Sequence, residues 1–173
     1  PRSALAARLW SQMRAPGYRP PRLLNGGYAA WLASGGDVDT VMPAAQHVDY
    51  APCEFSGYCD IEALAPLQAG GALLVDSREA PRYAGLHEPI DPVAGHIPGS
   101  VNHPWQEVSD ENGRMIDPDS QREHWGDSLS AEQLVVYCGS GVTACVNLFS
   151  LAMLGRDDAI LYAGSWSDWC SYL

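Results

Sequence analysis

The sequence predicts an α/β protein with a mainly parallel central sheet flanked by helices. Short, β-rich apolar runs alternate with helical stretches, the order expected of strands joined by helical crossovers. The runs at 72–76 and 134–137 are continuously apolar rather than alternating, which suits strands covered on both faces. The stretch 142–154 is apolar on nearly every side, so its helix belongs in the interior.

In chain order, residues 61–67 are predicted as a helix and 72–76 as a buried strand ending on Asp76. Pro98 and Gly99 form a turn before a short strand at 101–104. Strand 134–137 leads through a glycine-containing loop into the helix 142–154, which Gly155 terminates as a C′ residue. A further strand occupies 159–162. Ligands of such a sheet bind outside the carboxyl ends of its strands. The segment after residue 137 is therefore the first place to look for chemistry.

The 173 residues suit one ordinary domain and part of another. A hydrophobic share of 46% with six Trp is ample for a packed core and excludes disorder as the main state. No apolar run approaches the roughly 20 residues that span a bilayer. A formal net charge of −11 would be repelled by nucleic-acid phosphate and by anionic membranes. The ten basic residues are all Arg, each able to hold a carboxylate through two parallel hydrogen bonds. Cysteines stand at 53, 59, 138, 145 and 170, with no Cys-x-x-Cys pair and no regular spacing. That usage points to a reducing, cytoplasmic compartment rather than a disulfide framework. Nothing in the pattern calls for a metal or a cofactor.

The chain also matches itself without gaps at an offset of 138 residues. Ala6 then meets Ala144, Gly17 meets Gly155, Leu23 meets Leu161, Gly26 meets Gly164, Tyr28 meets Trp166 and Trp31 meets Trp169. Both copies read as helix, glycine, loop, short apolar strand, glycine turn and aromatic-bearing helix. Residues 1–36 are thus expected to be the C-terminal remnant of a first domain. Residues 37–59, with Pro43 and Pro52, read as an interdomain linker, and 60–173 as the complete domain. Cut from most of its sheet, the remnant could hardly bury its apolar faces alone.

The most informative segment is Leu134-Val135-Val136-Tyr137-Cys138-Gly139-Ser140-Gly141-Val142-Thr143-Ala144. A strand delivers Cys138 to the sheet edge, and two glycines let the backbone curl before a helix begins. Such a loop turns successive N–H groups inward as a cradle for negative charge. The helix N-terminus adds about half a positive charge. Both favour a thiolate at Cys138, hence a nucleophile. Cys145, within the apolar helix, reads as core, and Cys53 and Cys59 lie in or near the linker. A Cys-x5-Arg phosphatase loop is disfavoured because the position six after Cys138 is Ala144. A Gly-x-Ser-x-Gly elbow fails around Ser140, whose flanking positions are Cys138 and Val142.

Together with Val75-Asp76-Ser77-Arg78 and Gly95-His96-Ile97-Pro98-Gly99-Ser100, this loop resembles that of rhodanese-type sulfurtransferases. The resemblance is nearest to the catalytic C-terminal domain of two-domain mercaptopyruvate and thiosulfate sulfurtransferases. Leu24-Asn25-Gly26-Gly27-Tyr28-Ala29-Ala30-Trp31 is similar to the end of their first domain. It implies a rhodanese-like fold and a ping-pong reaction in which Cys138 takes sulfur from a small donor as a persulfide. Cyanide or a thiol would then be the acceptor. Gly139, Gly141, Val142 and Thr143 would form the cradle, and Ser140 would polarise the donor or relay a proton. Arg82 matches an arginine that holds the donor carboxylate. Arg78 has two readings, donor contact or an ion pair within the fold. Asp76 and His96 are expected to be structural. Neutral Gly139 and Ser140 favour mercaptopyruvate over thiosulfate. Asp91, where a second carboxylate-binding Arg is often found, would repel an anionic donor. The family also implies a site between two domains, with acid/base partners of the serine falling before Pro1. The alternatives are a thiosulfate-preferring enzyme and a rhodanese-like binding or regulatory module without turnover.

Overall fold

The computed structural model describes residues 4–49 and 54–173. Its centre is a sheet of five parallel strands: β1 (Tyr58–Cys59), β2 (Leu73–Asp76), β3 (Val101–Asn102), β4 (Leu134–Tyr137) and β5 (Ile160–Tyr162). Their spatial order is β1-β5-β4-β2-β3, with Val75 opposite Val136 and Val136 opposite Leu161. The helices are α1 (Ala4–Arg14), α2 (Gly27–Ala33), α3 (Ile61–Ala69), α4 (Ala80–Tyr83), α5 (Pro118–Trp125), α6 (Ala144–Met153) and α7 (Ser165–Trp169). From β2 the chain moves outward to β3, and from β4 it moves outward to β5 on the other side. The strand order therefore reverses between β2 and β4, which opens a crevice at their carboxyl ends. Cys138 follows β4, and Arg78 and Arg82 follow β2.

Apolar side chains cover both faces of β4, as its unbroken apolar sequence requires. Leu134 and Val136 join one core cluster with Trp10, Trp125, Leu148 and Leu151. Val135 and Tyr137 join the other with Leu64, Leu74, Ile97 and Trp166. Helix α6 begins at Ala144, two residues later than predicted, because Val142 and Thr143 belong to the loop.

The repeat has a structural counterpart. Gly17 and Gly155 both have positive φ (80° and 87°), as do Gly27 and Ser165 (61° and 58°). Helix α1 corresponds to α6, and α2 corresponds to α7 with the 3₁₀ turn Cys170–Tyr172. One predicted element of the first copy is not formed. Leu23, the counterpart of Leu161, lies outside any strand, because no neighbouring strand offers its backbone a ladder. The expectation that residues 1–36 leave their apolar side chains uncovered holds only in part. Ala4, Ala7 and Trp10 are buried against α6, with Trp10 edge-on to Phe149 at 5.2 Å. Leu5, Leu9, Tyr28 and Leu32 remain exposed. The sheet also begins earlier than residue 60, since Tyr58 and Cys59 pair with Leu161 and Tyr162. Cys53 lies outside the described residues. No helix among them is long and apolar enough to cross a membrane.

Candidate active site

The Cys138 loop is shaped by two neighbouring contacts. Gly141 has φ +71°, and a Cβ there would fall 2.5 Å from the Ala163 carbonyl oxygen, so only glycine fits. The Cys138 N–H donates to Ser165 Oγ at 3.1 Å, and that hydroxyl donates to the Tyr162 carbonyl at 3.0 Å. In return, the Cys138 and Gly139 carbonyls accept from the N–H groups of Trp166 and Ser167. The loop after β4 is thereby clamped to the start of α7. Sequence reasoning missed Ser165. The signal was available in the repeat, where its counterpart Gly27 is a residue type suited to positive φ.

The N–H groups of residues 139–144 donate to no acceptor among the described residues. A run of free amides leading into α6 is what binding a developing or full negative charge requires. Val142 and Thr143 are half-buried within this run, and Ser140 is exposed above it. Cys138 itself is only 1% exposed and packs into the core cluster with Val136, Ala144 and Cys145. It therefore lies beneath the loop rather than open at the sheet edge. Cys145 is buried, its thiol pushed up to about 11 by burial, which leaves it a poor nucleophile.

The two arginines separate in role. The Arg78 side chain is 1% exposed; its guanidinium holds Asp76 through Nε and Nη2, Glu88 through Nη1 and the Gly95 carbonyl through Nη2. It also covers the Trp166 ring at 4.6 Å. With these partners taken, Arg78 anchors the Gly95–Ser100 segment, and the donor-contact reading of this residue is set aside. The turn is held further by Tyr137, whose hydroxyl accepts from the Ile97 N–H and bonds Ser100 Oγ. His96 stacks on Tyr83 with Nδ1 2.8 Å from the Tyr83 carbonyl, a structural contact.

Arg82 lies at the loop. A Cβ on Gly139 would meet its Nη1 at 3.4 Å. Its Nε and Nη2 hold both oxygens of Glu88, and Nη2 also reaches Asp91 at 3.3 Å. Burial favours the neutral acid at Glu88, but the Arg82 bond and the N–H groups of Asp91 and Ile90 outweigh it, lowering the carboxyl below its ordinary value. Glu88, which bridges both arginines, carried no periodicity or motif signal. Among the described residues no cluster of three or more His, Cys, Asp or Glu is arranged to hold a metal.

A parallel sheet, a Cys at the carboxyl end of its central strand and a run of free amides define a class, and comparison with known proteins agrees. Residues 61–172 match the rhodanese-like domain family, and the chain belongs to that family. A Pseudomonas aeruginosa protein named "Probable 3-mercaptopyruvate sulfurtransferase" is 41% identical over 96% of this chain and 61% of its own. The mouse 3-mercaptopyruvate sulfurtransferase is 34% identical over 95% of this chain and 57% of its own length. The mouse thiosulfate sulfurtransferase is 33% identical over 96% and 59%. The chain thus spans about three fifths of these relatives. The structure of a 3-mercaptopyruvate sulfurtransferase from Leishmania major is similar with a TM-score of 0.80 at 27% identity, covering 98% of this chain and 49% of that one.

Proposed function

We propose that the protein is a sulfurtransferase that carries sulfur on Cys138. The observation that carries this reading is the run of free N–H groups at 139–144 directly after the cysteine. The thiolate attacks the sulfur of the donor and forms an S–S bond as the donor's bond to that sulfur breaks. With mercaptopyruvate the C–S electron pair passes to carbon, which takes the thiol proton and leaves as pyruvate. With thiosulfate the pair leaves on sulfite. Either way the enzyme holds a persulfide anion, which the loop amides stabilise. Attack by cyanide or a thiol on the outer sulfur then restores the thiolate. Ser140, exposed on the loop two residues after Cys138, is placed to meet the donor. Relatives of both names match the chain, so the donor is read from the neutral Gly139 and Ser140, which favour mercaptopyruvate.

We assign residues 1–36 to the tail of a first rhodanese-like unit and the rest to the catalytic unit, with the linker expected at 37–59 ending where β1 (Tyr58–Cys59) joins the sheet. The matched φ angles support this, as does the fate of equivalent side chains. Leu24, Tyr28 and Leu32 are exposed, whereas their counterparts Tyr162, Trp166 and Cys170 are buried under the sheet.

Incubation with mercaptopyruvate or thiosulfate, followed by intact mass and peptide mapping, tests the reading. A gain of about 32 Da on Cys138, one sulfur atom, is expected, and Cys138→Ser should abolish it. No adduct from either donor on folded protein would reject the activity.

A further inference from the structure

We infer that Asp91, acting with Glu88, sets the charge of the donor that the Cys138 loop accepts. Arg82 is the cation that flanks Gly139, yet the Nε–Nη2 edge of its fork is closed by Glu88 and Asp91. Only Nη1 is without an acceptor among the described residues. An incoming anion therefore meets one N–H edge instead of a two-point clamp.

The charge balance points the same way. Arg78 and Arg82 face Asp76, Glu88 and Asp91 in one connected network, a formal excess of one negative charge. The carboxylates are hardly hydrated, with Glu88 3% and Asp91 7% exposed, and Arg82 is 14% exposed. The Arg78–Asp76 and Arg82–Glu88 pairs cancel, which leaves Asp91 as the uncompensated charge. The loop amides still attract negative charge that develops at the sulfur, while the network repels charge carried by the rest of the donor, a dianion more than a monoanion. A donor with one negative charge or none is admitted over a dianion. Asp91 is the specificity-determining residue in this account, which rests on Cys138 being the sulfur-accepting thiolate.

The test reads charge selection at Cys138 without requiring sulfur transfer. Alkylation of Cys138 by neutral iodoacetamide and anionic iodoacetate is followed by peptide mass spectrometry. The rate ratio cancels the thiolate fraction, and free N-acetylcysteine supplies the reference. At low salt the neutral reagent should be favoured over the reference by about two- to fivefold. The preference should shrink as salt approaches 1 M. Asp91→Asn should bring the ratio toward the reference, whereas Glu111→Gln, which removes the same charge from an exposed turn, should not. In steady state, Asp91→Asn should raise kcat/KM for thiosulfate more than for mercaptopyruvate, through KM.

A ratio at or below the reference, or one that is independent of salt, overturns the inference; the salt series needs no variant to fold. A charge-biased ratio with no persulfide from any donor retains the charge selection and rejects the sulfur-transfer reading. A persulfide with no bias does the reverse. Failure of both reagents to modify Cys138 rejects both.

Discussion

Gly141 and Ser165 constrain the Cys138 loop through the same conformation, φ near +60° to +70°, at different cost. At Gly141 the constraint is absolute, since a Cβ would overlap the Ala163 carbonyl. Gly141→Ala combines a left-handed alanine, costing about 1–2 kcal/mol, with overpacking of about 1–3 kcal/mol. A loss of about 2–5 kcal/mol in urea unfolding is expected, with persulfide formation lost in parallel. Ser165 tolerates the conformation because its hydroxyl accepts from the Cys138 N–H. Ser165→Ala removes that acceptor and keeps the strained φ, whereas Ser165→Gly removes the acceptor and relieves the strain. The glycine variant should therefore be the more stable of the two by about 1 kcal/mol. Equal stabilities would mean that the backbone at this position is unstrained. The loop's chemistry was legible because one cysteine, two glycines and a helix start are contiguous. Its clamp was not, because Ser165 comes from a distant segment, and neither was Glu88, which reaches the site only through Arg82 and Arg78.

Elements were legible in proportion to how completely they are buried. The strand at 134–137 needed no correction, since all four of its residues face apolar layers and the sequence is apolar throughout. Helix α5 went unread despite an Asp117 cap on Asp119 and Ser120 and a Pro118 at its first position. Its sequence is mostly polar, so apolar periodicity is silent, and it docks through Gln121 and Trp125. These two reach α6 through one hydroxyl, with Trp125 Nε1 donating to Ser150 Oγ and that hydroxyl donating to Gln121 Oε1. Ser150→Ala should cost about 1–3 kcal/mol, because it leaves both buried partners unpaired. The N-terminal helix α1 is legible as a helix from the repeat, but the repeat carries no signal of its partner: Trp10 packs on Phe149 and is buried. Trp10→Ala should cost about 3–5 kcal/mol in one cooperative transition. If α1 were energetically separate, the main transition would stay in place and only a minor early phase would move.

Across the whole molecule the charge balance and a half-buried histidine pair respond to acid in opposite directions. The net charge of −11 means that mild acidification relieves self-repulsion, an effect carried mainly by carboxylates protonating near pH 4. His103 and His124 meet edge to face at 5.0 Å beside Trp125, where segments from β3 and α5 join. Burial first, then the neighbouring His124, pulls His103 down from 6.5 to about 4, and burial also lowers His124. In the folded protein His103 stays neutral and bonds Ser128 Oγ through Nε2. The unfolded chain takes up a proton near pH 6.5, the folded chain only near 4. The contribution of His103 is therefore fully present above pH 6.5 and is lost as pH falls toward 4. A shift of this size on a half-buried ring, discounted for solvent screening, corresponds to about 1–2 kcal/mol. Carboxylates of ordinary pKa titrate lower, so the histidine contribution dominates from pH 6.5 to about 5 and stability should decline there. Urea midpoints across that range in the wild type and in His103→Gln measure it. The variant keeps a group able to bond Ser128 but cannot titrate, so its profile should be flatter. Identical slopes would show that His103 is not the group whose protonation opposes folding.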